Sequence, residues 1–347
     1  MPKLSPFSTF AIGSFPFDEP SVALDLMGKN LDIPAAPQMV KLSPWEDMLL
    51  GAVDGIPFLE ASEETRVINA PISGREENLA LFYEKYYQGD YSFLKREAHA
   101  SLGLSAFLER AKRDPSFGKE FLKTQVVGPL TFGQSVKVEG SFGLVDDPGL
   151  LEASSYALGA KVALEAQMIR DLGRFPIVFF DEPGLSGYGS AFSTLSAEMV
   201  LQALGESIQA LREKGEVLVG IHVCGNTDWG LLTKSGVDII NFDAFGYQES
   251  VALYPKELSV FLEGGGYLAW GIVPTTSYEP RVTAEWLFKH LLEGFTKLSR
   301  HNIAPELLRE RCLITSSCGL GSLDPKIATI VLELLPKVKE HLLDAAS

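Results

Sequence analysis

Cysteine is scarce in this chain: three residues in 347, Cys224, Cys312 and Cys318. That is too few for a disulfide framework and fits a reducing compartment, so a cytoplasmic location is expected. Basic charge is short as well. Thirty Lys and Arg against 45 Asp and Glu leave a net charge of −15, which repels phosphate backbones. No stretch of the sequence concentrates cations to offset it, so no nucleic-acid partner is expected. No apolar run approaches the roughly 18 residues of a membrane-spanning helix. The opening segment MPKLSPFSTFAIGSF has one lysine and no small-residue cleavage site behind an apolar core, so neither a membrane association nor a secretory signal is expected. A Gly-rich dinucleotide fingerprint, internal repeats and low-complexity linkers are also missing, and residues 1–347 read as one domain.

What is present is a large apolar fraction, 46% of residues, arranged in short continuous runs. Eight runs centred near residues 10, 38, 127, 178, 220, 240, 270 and 315 read as strands. From the third onward, amphipathic helical segments separate them. Continuous apolar strands alternating with such helices imply a buried parallel sheet. Eight of them predict an α/β chain folded as a (β/α)8 TIM barrel, with an open doubly wound sheet as the alternative. Residues 43–114 hold more helical pattern than one barrel helix needs. They are expected to form a helical insertion over the site, with pieces starting at Pro44, Arg75 and Tyr91. Asp324-Pro325 is a strong helix start, and Pro336 is expected to kink or interrupt the helix that follows.

The barrel expectation directs attention to strand ends. The run VLVGIHVCGNTDW at residues 217–229 places His222 and Cys224 two apart at a strand exit. Side chains at i and i+2 share a face, with Cα atoms roughly 6.6 Å apart, a spacing at which one metal ion can be held between imidazole and thiolate. Taken alone, H-x-C reads equally as a buried cysteine beside a histidine satisfied by the turn. A second cysteine at a strand end, Cys318, favours the metal. Asp243 ends the run between them, and a mixed set of His222, Cys224, Asp243 and Cys318 suits zinc. Cys312 begins its strand and is expected in the core. Asp181 and Glu182 close another apolar run. Being adjacent, they face opposite ways and cannot readily flank one bond as a glycosidase pair; the turn-capping alternative for Asp181 remains open.

Several motifs together resemble the catalytic half of cobalamin-independent methionine synthases. They are IGSFP at 12–16, VGPLT at 127–131, FDEP at 180–183, HVC at 222–224, DIINFD at 238–243 and CGL at 318–320, in the family's order. The resemblance implies a barrel whose zinc binds homocysteine sulfur. His222, Cys224 and Cys318 would be ligands, and Asp243 stands where the family has a glutamate. Ser14 and Asp181 match residues that hold the amino-acid part of homocysteine, with Glu182 beside them as a further substrate contact. HVCG followed by Asn-Thr is also similar to zinc-dependent methyltransferases acting on coenzyme M, and the wider superfamily includes uroporphyrinogen decarboxylase, whose chemistry needs no metal.

Departures from the family pattern bear on the methyl donor. Phe132-Gly133 replaces an aromatic associated with the folate site, Ser317 replaces an aspartate, and residues 271–281 lack the family's histidine. The full-length folate enzyme carries a second, N-terminal barrel for which 347 residues leave no room. The sequence most resembles single-barrel relatives that take the methyl group from a corrinoid. The expectation is therefore a methyltransferase making methionine from homocysteine, with methylcobalamin or a methylated corrinoid protein as donor and possible partner.

Overall fold

The computed structural model describes residues 1–138, 143–190, 193–275 and 282–345. Ten strands are present among them. In chain order they are β1 (Thr9–Phe10), β2 (Glu60–Ser62), β3 (Val67–Ala70), β4 (Phe121–Val127), β5 (Lys137–Val138), β6 (Phe175–Asp181), β7 (Leu218–Val223), β8 (Ile239–Phe242), β9 (Tyr267–Val273) and β10 (Cys312–Ser316). Seven of them form a curled parallel sheet in the order β1-β10-β9-β8-β7-β6-β4, a TIM-barrel-like arrangement. The run expected near residue 38 is not a regular strand. Residues 33–38 make isolated parallel bridges instead, to Phe10 and Ser14 on one side and to Lys123 on the other. Pro34 and Pro37 explain the difference, since neither can donate a ladder hydrogen bond. The donors and acceptors that remain are used on both sides: Ile33 N–H donates to Thr9 O, and Lys123 N–H donates to Pro34 O, each at 3.0 Å.

Strand alternation sorts two apolar groups. Phe10, Ile33, Phe121, Ile177, Leu218 and Leu313 pack together inside the curl of the sheet. Val219, Ile221 and Val223 of β7 face the other way, into the larger core beneath the helices. Those helices start where the sequence supplies caps. Asp147 accepts from Gly149 and Leu150 N–H ahead of helix Pro148–Asp171, Thr283 accepts from Trp286 N–H, and Asp324 from Lys326 N–H. The last helix, Pro325–Asp344, runs through Pro336 without interruption. Buried Val331, Leu332, Leu335 and Val338 on both sides of the proline hold it in place. No helix among the described residues is long and apolar enough to cross a membrane.

Residues 43–114 are less helical than their pattern suggests. Helices Arg75–Tyr87 and Leu102–Arg113 are present, but β2 and β3 form an antiparallel hairpin between them and the barrel start, and β3 pairs with β5. Arg66, at φ 54°, makes the hairpin turn. Short strands of three and four residues leave little periodicity to read. Buried polar contacts tie this region to helix Pro148–Asp171: Lys161 Nζ donates to Leu94 O at 2.8 Å and also to Asp54 O, and Arg96 Nε lies 2.8 Å from Glu165.

Candidate active site and metal centre

Parallel register lines up one layer of side chains across four neighbouring strands. Asp181 pairs with His222, His222 with Asn241, and Asn241 with Ala269. These positions sit at the C-terminal ends, where barrel enzymes keep their chemistry. His222 is buried, and its Nδ1 faces Asn241 Oδ1. The Asn241 amide donates its two hydrogens to Ala269 O at 2.9 Å and Thr315 Oγ1 at 2.8 Å. A main-chain carbonyl only accepts, so the Asn241 nitrogen must point there and its oxygen must point at the imidazole. His222 therefore carries its proton on Nδ1 and offers a lone pair on Nε2. That Nε2 is buried without a hydrogen-bond partner.

The unpartnered nitrogen belongs to a cluster. Ligand atoms of His222, Cys224 and Cys318 all lie within 4.8 Å of one another. Cys224 is pushed down to about 4 by the neighbouring Cys318 thiol and by His222, while Cys318 is raised by the same pairing. Two sulfurs and one imidazole held this close suit zinc, and three protein ligands with a fourth position open is the pattern of catalytic zinc sites. A buried lone pair aimed at two thiols fits a metal ion far better than an empty core, where an unpaired polar atom is costly. Cys318 is placed by the turn after β10. Leu320 N–H donates to Ser14 O at 2.9 Å and Gly321 N–H to Ser14 Oγ at 3.3 Å. A Cβ on Gly319 would meet Ser14 Oγ at 2.2 Å, so only glycine allows this approach.

The cluster opens into a cavity of about 410 Å³, which Ser14, Asp181, Met48 and Asp47 also line. Asp47 and Met48 come from the 43–114 region and line the cavity. Asp181 is buried, and its Oδ1 has no partner. Burial pushes its carboxyl up to about 6, with Lys123 and His222 opposing. Lys123 is itself buried under the layer. Its Nζ donates to Ile12 O and to Gln125 Oε1 at 3.0 Å and sits 4.7 Å from the Phe179 ring centroid.

Other expected residues are placed differently. Glu182 faces away from Asp181 and does not line the cavity. Its carboxylate accepts from Leu130 N–H, Thr131 N–H and Thr131 Oγ1–H at 2.9, 2.8 and 2.6 Å. Burial pushes it up to about 7 despite those donors. A Cβ on Gly128 would collide with it at 2.2 Å, so the GPLT and DEP motifs fit together as one joint. Asp243 stands outside the three-residue cluster. It caps helix Ala244–Val251, with Oδ1 accepting from Gly246 N–H at 2.9 Å. Cys312 is fully buried at the start of β10 and well above its ordinary pKa through burial. Ser317 Oγ accepts from Thr275 N–H at 3.1 Å; residues 276–281 of the following segment lie outside the described residues. Sequence reasoning missed Asn241 and Lys123. A signal was present in each: an amide in the otherwise apolar run IINF, and a cation in the strand FLKTQVV.

Comparison with known proteins agrees on architecture. No protein-family model and no curated protein matches the chain. Among solved structures, a B12-independent methionine synthase from Shewanella sp. W3-18-1, in complex with selenomethionine, superposes with a TM-score of 0.64 over 99% of both chains, at 16% identity. An endo-β-1,4-mannanase from Cellulomonas fimi matches with a TM-score of 0.47 at 14% identity, covering 96% of this chain and 70% of that one. At such identities the first match shows a shared fold, that of a methionine synthase.

Proposed function

We propose that this protein is a zinc-dependent thiol S-methyltransferase that converts homocysteine to methionine, with methylcobalamin or a methylated corrinoid protein as donor. The observation that carries the reading is the convergence of His222 Nε2, Cys224 and Cys318 at the wall of a cavity that Asp181, with one unpartnered carboxylate oxygen, also lines. Zinc bound there would supply Lewis acidity, keeping a substrate thiol as the thiolate at neutral pH, where a free thiol with pKa near 8.5 is mostly protonated. The chain's residues do the rest. Asp181, ionised above about pH 6, binds the substrate ammonium group. Ser14 holds the turn that carries Cys318, and Asn241 holds His222. Asp243, one residue beyond β8, is available to the resting metal sphere if it leaves its cap. Ile12, Val40 and Met48 give the cavity an apolar wall. As the S–C bond forms, the bond from the donor to the methyl carbon breaks, and its electron pair stays with the donor.

The donor assignment rests on Phe132-Gly133, which stands where the resemblance places an aromatic of the folate site. Phe132 is fully buried in helix Pro129–Ser135 and does not line the cavity, so it offers a pterin ring no surface to stack on. The same reading takes 33–38 as the eighth stave of a closed (β/α)8 barrel over 1–347. The test is incubation of zinc-loaded protein with methylcobalamin or methyltetrahydrofolate and a panel of thiols. Methionine from homocysteine and methylcobalamin is expected. Methylation of 2-mercaptoethanesulfonate in preference to homocysteine, or turnover with the folate alone, would overturn the substrate or the donor.

A further inference from the structure

The fold gathers cations that the sequence keeps far apart. At the opposite ends of the strands from Cys224 and Cys318 lies a cavity of about 740 Å³, floored by Leu218 and Tyr267 at the starts of β7 and β9. Four cationic side chains line it, Lys3, Lys234, Lys256 and Arg311, against two carboxylates, Asp238 and Glu257. One carboxylate is already engaged, because Asp238 Oδ2 accepts from Arg212 Nη2 at 2.9 Å and Val219 N–H at 2.8 Å. Lys3, Lys234 and Lys256 form no ion pair among the described residues. In a chain of net charge −15, carboxylates are plentiful, yet none among the described residues lies within ion-pair distance of these lysines.

Arg311 gives the cavity a fixed centre. Its guanidinium stacks over the Tyr267 ring at 5.1 Å, and one nitrogen donates to Gly265 O at 3.3 Å. Its Nε is buried with no acceptor at all. A buried charged donor without a partner is costly unless something supplies the acceptor. Beside it the wall is apolar: Phe261 packs behind Val260, which is 72% exposed. A guanidinium fork flanked by lysines recognises phosphate oxygens, and the volume is that of a small-molecule site.

We infer that this cavity binds a small organic phosphate, with the phosphate on Arg311, Lys234 and Lys256 and the apolar or ring part against Val260 and Phe261. It lies at the stability face of the barrel, away from the thiol site, so its ligand acts as an effector or stabiliser and takes no part in the chemistry. The inference is independent of the methyl-transfer reading. Calorimetric titration with adenosine monophosphate tests it, using wild type, the Lys234→Glu/Lys256→Glu double variant and Arg311→Gln. Saturable binding is expected in wild type, weakened at least about tenfold in both variants, and unfolding of wild type shifts to higher temperature with ligand. The double variant alters only exposed side chains, so it keeps its fold. Absence of saturable binding below about 10 mM, or equal affinity in wild type and both variants, would overturn it.

Discussion

At the C-terminal ends of the strands, buried polar atoms are left without partners: His222 Nε2 and Asp181 Oδ1 face a cavity beside two cysteines. At the N-terminal ends inside the curl, the same strands carry side chains that meet one another. Leu4 is buried there among Phe121, Ile177 and Leu218, and its N–H donates to the Tyr267 hydroxyl at 3.1 Å. The difference teaches where each end spends its stability. Inside the curl the strand starts close a core, and the strand ends present a polar group that could hold a metal ion.

The sharpest way to break this contrast is to treat two cysteines of one strand region alike. Cys318→Ser should lose most bound zinc, whereas Cys312→Ser, six residues earlier and at the opposite end, should keep about one equivalent per chain. Metal analysis of the purified variants decides it, and equal zinc in both would remove the contrast. Next in size is Leu4→Ala, expected to lower unfolding stability by about 3 kcal/mol while leaving zinc stoichiometry intact. Denaturant unfolding followed by zinc assay reads both quantities. Asn241→Leu should do the reverse. It frees the His222 ring to turn and should weaken zinc affinity about ten- to a hundredfold by chelator competition, with a smaller stability change than Leu4→Ala.

The smallest effect concerns Lys123, which lies between the two ends. Burial lowers its pKa to about 8, with Asp181 opposing; the unfolded value is about 10.4. Between those values the unfolded chain binds more protons, so the group's contribution to stability rises with pH across that window. It is lost again as pH falls through 8. Wild type should therefore gain stability relative to Lys123→Met between about pH 8 and pH 10. Parallel curves for the two proteins would show that the lysine is not held as the structure has it.

Much of this contrast was legible in the sequence because it is written in residue type and period. Apolar runs located the seven strands of the sheet, and His222, Cys224 and Cys318 could be placed at strand ends by counting residues. What stayed hidden depends on partners distant in sequence. Asn241 looks like one polar residue in DIINFD until Ala269 O and Thr315 fix its amide. Glu182 looks like a substrate contact until Leu130 and Thr131 occupy it. The β2–β3 hairpin was too short to show a period, and prolines reduced residues 33–38 to scattered bridges. The cationic cavity is assembled from residues 3, 234, 256 and 311, which no local window can join.

The central claim is that the three-residue cluster forms a metal centre with an open position for the substrate sulfur. X-ray absorption at the zinc edge tests it directly, on the zinc-loaded protein before and after addition of homocysteine. The account predicts a resting shell with two protein sulfurs and one imidazole nitrogen, gaining a third sulfur when the thiol is added. A sulfur count that stays at two with homocysteine present at saturation would contradict it.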